Sequence, residues 1–309
     1  MAHRRDGVSF SIWLCICLIV AVPLAAPVAA DTTATVPDTA TPTPGPPPRM
    51  LAGYTPLPLA SLSPTAANLI AASNGAVTLA VALPGQGIVY TANSDTRLPL
   101  ASVAKLLIML TLLDGTMRPP RELSEDERES LNAMITVSDN DAADALWDEI
   151  GGSAGVRAFL DCVGITGVTF SPDDDWGDTA ASGEAVAVLL ARLETGDLLD
   201  APRRALALDF MGRVIPDQHW GVTALALDVS PGVTVDVKNG WYPDDDGWRV
   251  TSAGIIVPKA GGQSYTIAVF TGGQSDLVSG IATIEAITRA IAAALTQDPV
   301  PGLSGNTPR

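Results

Sequence analysis

The run Leu100-Ala101-Ser102-Val103-Ala104-Lys105-Leu106-Leu107-Ile108-Met109-Leu110 carries a single charge, the ammonium of Lys105. A stretch so apolar belongs in a core, and an ammonium buried there without partners is costly. Any fold this chain adopts must therefore bring partners to Lys105 or let it reach water. On a helix, Ser102 and Lys105 are three residues apart and share one face. That spacing suits a serine whose proton is taken by a desolvated lysine of lowered pKa. A hydroxyl at a helix N-terminus also lies near backbone N–H groups that favour developing negative charge. A core helix whose lysine extends to solvent satisfies the same pattern. Lysine is otherwise scarce: only Lys105, Lys238 and Lys259 occur, against fifteen arginines. Arginine cannot be neutralised in a protein, whereas lysine can serve as a base.

Two other clusters carry chemistry-bearing side chains. In Leu131-Asn132-Ala133-Met134-Ile135-Thr136-Val137-Ser138-Asp139-Asn140-Asp141-Ala142-Ala143 an apolar helix ends at Ser138-Asp139-Asn140. These three residues can cap the next helix, expected over Ala142 to Ile150. In Val235-Asp236-Val237-Lys238-Asn239-Gly240-Trp241 a lysine stands on a late strand, followed by a small polar residue and a glycine. That order lets a ligand approach the strand edge closely, and it also describes an ordinary strand entering a turn.

The clusters sit in one expected domain, residues 62–295. Residues 1–30 carry Arg4 and Arg5, then an apolar run from Val8 ending in small residues, with Val28 and Ala30 placed for signal peptidase. They read as a secretory signal removed after Ala30, or as an uncleaved membrane anchor. Residues 31–61, rich in Thr, Pro and Ala, read as a semi-extended spacer, and residues 296–309 as a loose tail. Both readings of the leader put the body outside the cytoplasm, near a membrane or wall. Within the domain, Ser63-Pro64 opens a helix carrying Ala67, Leu69, Ile70 and Ala71. Strands follow over Ala76 to Leu83 and Gly87 to Ala92, joined through Pro84-Gly85. The middle is mostly helical. Late strands over Val233 to Lys238, Arg249 to Val257 and Tyr265 to Thr271 precede a long amphipathic helix over Leu277 to Leu295. Two strands early and three late imply an α/β (α+β) architecture: a five-stranded antiparallel sheet flanked by helices, with an inserted all-helical subdomain.

The formal net charge of −16 argues against nucleic-acid or anionic-surface partners. Without the leader only Cys162 remains, so no internal disulfide is expected. Its apolar neighbours suggest a buried structural thiol. Gly151-Gly152-Ser153-Ala154-Gly155 matches a nucleophile-elbow pattern, but that pattern must follow a strand, and here a helix precedes it. The glycines read as a helix stop and Ser153 as the next N-cap. His219 reads as a packing or rim residue. No His/Cys spacing suggests zinc, and Asp173 to Asp175 and Asp244 to Asp246 lack calcium-loop spacing, so neither metal nor cofactor is expected.

Together the three clusters resemble the Ser-x-x-Lys, Ser-Asp-Asn and Lys-Thr-Gly set of class A β-lactamases and penicillin-binding proteins. The resemblance covers essentially the whole domain, and the segment around Ser138, with Ala142-Ala143, is close to the class A pattern. It implies an exported serine hydrolase that attacks β-lactams or related amides. Ser102 would be the acylated nucleophile, Lys105 its base, and Ser138 the relay to the leaving nitrogen. Asn140 would hold the substrate's amide, while Lys238, Asn239 and Gly240 would face its carboxylate. The N–H groups of Ser102 and Trp241 would form the oxyanion hole. A D-alanyl-D-alanine peptidase acting on peptidoglycan peptides needs the same motifs, and a catalytically weakened wall- or β-lactam-binding module would keep them.

The match departs in three places. Asn239 stands where the family usually shows a hydroxyl residue. The spacing from Ser102 to Ser138 is shorter than in well-known members. The glutamate that releases the acyl group in class A enzymes has no counterpart in Thr169-Phe170-Ser171-Pro172-Asp173-Asp174-Asp175-Trp176-Gly177-Asp178. Asp173, Asp174, Asp175 or Asp178 is left to substitute, or to form a solvated acidic loop.

Overall fold

The computed structural model describes residues 56–226 and 232–297. In chain order the elements are β1 (Leu57–Pro58), α1 (Leu59–Leu62), α2 (Pro64–Ala72), β2 (Ala76–Leu83), β3 (Gly87–Ala92), β4 (Leu98–Pro99), a 3₁₀ turn (Ala101–Ala104) and α3 (Lys105–Gly115). Then follow α4 (Glu125–Thr136), α5 (Asn140–Glu149), α6 (Gly152–Val163), β5 (Val168–Thr169), β6 (Ala180–Ala181), α7 (Gly183–Thr195) and α8 (Ala201–Gly212). The hairpin β7 (Val233–Asp244) and β8 (Gly247–Pro258), then β9 (Tyr265–Gln274) and α9 (Leu277–Gln297), close the domain. The main sheet runs β1-β3-β2-β9-β8-β7, and a small second sheet runs β4-β6-β5.

Local sequence explains most boundaries. Ser63 accepts the Ala66 N–H at 3.1 Å, with Pro64 in the first turn of α2. Ser124 and Glu127 form a capping box at the start of α4. The five expected strands pair antiparallel as β3-β2-β9-β8-β7. Several features were not expected. Leu57 and Pro58 pair parallel to Tyr90 and Thr91 as a sixth edge strand, and α1 follows with Leu59 buried, both inside the stretch assigned to the spacer. β7 also continues past Lys238 to Asp244, because Asp244 and Gly247 close a tight hairpin with β8. The leader, the spacer through Thr55 and the tail beyond Gln297 lie outside the described residues.

Strand alternation sorts the sheet's two faces. Thr251 and Thr266 point to one side, where their hydroxyls donate to the carbonyls of Leu100 (2.8 Å) and Ala187 (2.7 Å). Val250 points to the other, against α9 at Gly280. By length and composition α9 could cross a membrane. However, Ile284, Ile287 and Ile291 are fully buried, as in a core helix. On the opposite side α3 is buried almost all round, from Lys105 to Leu110 and at Leu112 and Leu113, within the helical subdomain.

α7 docks on β2 through Gly183, where a Cβ would stand 2.8 Å from the Ala80 nitrogen and the Leu79 carbonyl carbon. Gly183→Ala is expected to destabilise the protein by about 1–3 kcal/mol in denaturant titrations, because backbone there cannot yield. Gly115→Ala, where nothing lies within 4 Å, should be neutral or slightly stabilising.

Candidate active site

The turn bearing Ser102 is a single 3₁₀ revolution, and such a helix stacks residues i and i+3. Ser102 therefore lies above Lys105. The turn is held from outside itself. The Leu100 N–H donates to the Thr179 carbonyl at 2.9 Å, and the Ala101 N–H to the Gly177 carbonyl at 3.0 Å. Ala101 sits at φ 48°, in a region that non-glycine residues enter at a cost of roughly 1–3 kcal/mol. On the strand side Gly240 lies against this turn: a Cβ there would stand 2.6 Å from the Ser102 nitrogen and 2.8 Å from the Leu100 oxygen. Only glycine lets β7 come this close.

Four of the expected side chains meet in one cluster. Lys105 Nζ donates to the Ser138 carbonyl (2.7 Å), to Asn140 Oδ1 (2.7 Å) and to Ser138 Oγ (3.3 Å). Lys238 Nζ donates to the same Ser138 Oγ (2.9 Å) and to the Asn239 carbonyl (2.9 Å). One hydroxyl oxygen has two lone pairs and so serves both amines. Ser138 is at φ 63°, which turns its carbonyl and its hydroxyl toward Lys105 together. Asp139 caps α5, accepting the Ala142 N–H at 2.8 Å, and this leaves Ser138 to the lysines. No hydrogen bond joins Lys105 to the Ser102 hydroxyl, because the amine's donors are directed at the Ser138 and Asn140 acceptors.

Electrostatics follow from burial. Desolvation lowers the Lys105 pKa to about 8, against the charges of Asp139 and Asp144, which raise it. Lys238 is held well below an ordinary lysine, first by complete burial and second by the charge of Lys105. Two amines around one hydroxyl thus favour a neutral member.

Other expected residues fall differently. The Asn239 side chain turns away from the amines: its Nδ2 donates to the carbonyls of Gln218 (2.8 Å) and Trp220 (3.1 Å). Strand alternation sends residues 238 and 239 to opposite faces, so Asn239 fastens the 218–220 segment instead of facing a substrate carboxylate. Trp241 meets Trp220 edge to face, with centroids 5.6 Å apart. In the acidic loop, Asp174 Oδ1 accepts the Ser153 N–H (2.9 Å), Asp175 accepts the Gly177 N–H (2.7 Å) and Asp178 accepts the Tyr242 hydroxyl (3.0 Å). The carboxylate of Asp174 explains why Ser153 is not an N-cap. Gly151, in the left-handed region, occupies the cap, and a remote carboxylate takes the free N–H. Cys162 is half-buried rather than buried, with the Arg118 guanidinium 3.2 Å from its sulfur. His219 is exposed at the rim, and its Nε2 contacts the Val214 carbonyl at 2.8 Å.

Trp176 was not singled out by sequence reasoning. Its ring lies over Lys105 Nζ, 4.8 Å from the centroid, and its Nε1 donates to Asp144 at 2.7 Å. A lone indole in an aspartate-rich loop was the only signal. Among the described residues, no group of three or more His, Cys, Asp or Glu side chains is placed to hold a metal.

Comparison with known proteins bears on this arrangement. The model of the beta-lactamase enzyme family matches residues 116–295, a span that takes in Ser138, Asn140 and Lys238 and begins after Ser102 and Lys105. A protein named as a lipoprotein, LppW, from Mycobacterium tuberculosis and from Mycobacterium bovis is 27% identical over 176 residues, covering 54% of this chain. The chain spans 55% of those relatives' length. A class A beta-lactamase from Bacteroides cellulosilyticus superposes with a TM-score of 0.64 at 20% identity, over 75% of this chain and 96% of its own. PBP-A superposes at 0.66 and 21% identity, over 79% of this chain and 99% of its own. A variant of PBP-A was solved as its acyl-enzyme complex with penicillin G.

With three lysines in the chain, selective labelling of lysine resolves the site by NMR. Lys105 should titrate with a midpoint near about 8, and Lys238 below the ordinary lysine range. Because the folded-state value is depressed, the unfolded chain binds more protons between the two values. The Lys105 contribution to stability should therefore grow as pH rises from about 8 to the ordinary lysine value of 10.5. Ordinary lysine midpoints at both positions would contradict the geometry.

Proposed function

The chain belongs to the beta-lactamase enzyme family, and from that membership we propose an exported serine hydrolase that opens β-lactams or related amides through an acyl-enzyme on Ser102. The observation that carries this reading is the shared hydroxyl: Ser138 Oγ receives Lys105 and Lys238 at 3.3 and 2.9 Å. Lys105, neutral in a fraction of molecules near pH 8, takes the Ser102 proton as Oγ attacks the amide carbonyl. The oxyanion that forms is met by the N–H groups of Ser102 and Trp241. Gly240 supports that pairing by bringing β7 against the turn. The C–N bond then breaks, and Ser138 passes the proton from Lys105 to the leaving nitrogen. Lys238 attracts the substrate carboxylate, and Asn140, exposed at the cluster's edge, holds its amide. Asn239 acts indirectly, by fixing the 218–220 segment below β7.

Release of the acyl group is less well provided for. Asp174, Asp175 and Asp178 are engaged by Ser153, Gly177 and Tyr242. Asp173 makes only a backbone contact, from its N–H to Ser171 Oγ at 3.3 Å. That observation favours a second reading in which the adduct persists, as in a D-alanyl-D-alanine peptidase-like or β-lactam-binding protein of the cell wall. Placement outside the cytoplasm is supported by the apolar leader in residues 1–30 and by the lipoprotein name of the mycobacterial relatives.

A fluorescent penicillin followed by intact mass over time tests both readings. A mass increment of the whole penicillin is expected on the wild-type protein and none on Ser102→Ala; labelling that survives this change sinks the assignment. Acylation should rise with pH through about 8 as Lys105 deprotonates. Lys105→Arg, which cannot lose its proton, should slow acylation by about 10²–10⁴-fold.

A further inference from the structure

The acidic loop of residues 169–178 places an indole over the amine. Trp176 stands 4.8 Å from Lys105 Nζ, and its N–H is tied to Asp144 Oδ1 at 2.7 Å. The backbone of this loop is bound to the nucleophile's own turn: Thr179 O accepts the Leu100 N–H (2.9 Å), and Gly177 O accepts the Ala101 N–H (3.0 Å). Lys105 has three donors, and Ser138 O, Ser138 Oγ and Asn140 Oδ1 take them. With the ring across the open side, the residue is fully buried, and no place is left for a water beside Nζ.

Resting on the acyl-enzyme reading above, we infer that Trp176, latched by Asp144, is a lid that keeps hydrolytic water from Lys105 and so prolongs the life of an acyl group on Ser102. The step it restrains balances as follows. A water oxygen bonds to the acyl carbon, its proton passes to neutral Lys105 Nζ, the carbon–Oγ bond breaks, and Ser102 Oγ recovers the proton. The product is a free carboxylic acid. Asp174, Asp175 and Asp178 are engaged elsewhere, and Asp173 lines the cavity outside the ring, so a water activated beside Ser102 must approach Lys105, and the indole occupies that approach. Outside the lid lies a cavity of about 360 Å³ lined by Asn140, Asp144, Trp147, Asp175 and Trp176. It gives the ring room to swing away once its N–H leaves Asp144. Trp176 is thus a positioning residue rather than a catalytic one.

The test follows adduct mass with time after excess penicillin is removed. Trp176→Ala should shorten the adduct's half-life by about tenfold or more, up to the ~10²-fold at the lower end of what an accessible general base contributes. Asp144→Ala, a change at an exposed side chain that spares the core, should act in the same direction. Asp144→Asn keeps an acceptor for the indole and should preserve the half-life. Because it removes a charge facing Lys105, it should also move the acylation midpoint to lower pH, with Asp139 and Lys238 still facing the amine. Unchanged half-lives in Trp176→Ala and Asp144→Ala overturn the lid. An adduct as short-lived in Asp144→Asn as in Asp144→Ala overturns the latch. A wild-type adduct that decays within seconds also overturns the lid while leaving the hydrolase standing, whereas no wild-type adduct removes both.

Discussion

The hydroxyl of Ser138 accepts hydrogen bonds from Lys105 and Lys238, two amines that are both buried. Burial of an ammonium is tolerable only with close acceptors or with loss of its proton. The cluster provides both, since carbonyl, amide and hydroxyl oxygens surround the amines and each amine disfavours the other's charge. Keeping them together requires α3, the α4–α5 junction and β7 to converge at one point. That convergence in turn requires the left-handed backbone at Ser138 and the absence of a side chain at Gly240.

The surroundings of this cluster are fastened by groups that do no chemistry themselves. Thr251 ties β8 to the Leu100 carbonyl, Asn239 ties β7 to the 218–220 segment, and Asp174 joins the acidic loop to the start of α6. Each satisfies a buried or half-buried backbone group at a junction between the sheet and the helical subdomain. Positions at which the chain departs from the family pattern are thus turned to structure. At position 239 an amide has taken a bracing role, and in the 169–178 loop three carboxylates brace backbone or phenol while an indole faces the amine.

Much of the fold could be read directly. The short apolar, β-branched runs of β2, β3, β8 and β9, the proline-led start of α2 and the serine caps of α4 and α7 are local patterns with local causes. The two-residue strand at Leu57 was not readable, because it has no periodicity of its own and exists only through the backbone of β3. The same limit applied to Ser153 and Asp139. Which residue caps a helix depends on competitors, and the carboxylate that displaced Ser153 lies 21 positions away.

By itself, then, the sequence determined that Lys105 would stand in an apolar helix and would need either partners or a route to water, since burial of a lone ammonium is costly. It also placed Ser102 three residues away on the same helix face. Only the tertiary structure chose the partners: Ser138 is 33 positions from Lys105 and 100 from Lys238. Hydrogen bonds act over about 3 Å, so no pattern along the chain encodes which distant oxygens meet which amines, or that Trp176 would cover them. Those contacts are set by how the strands register and the helices pack, which is a property of the whole domain.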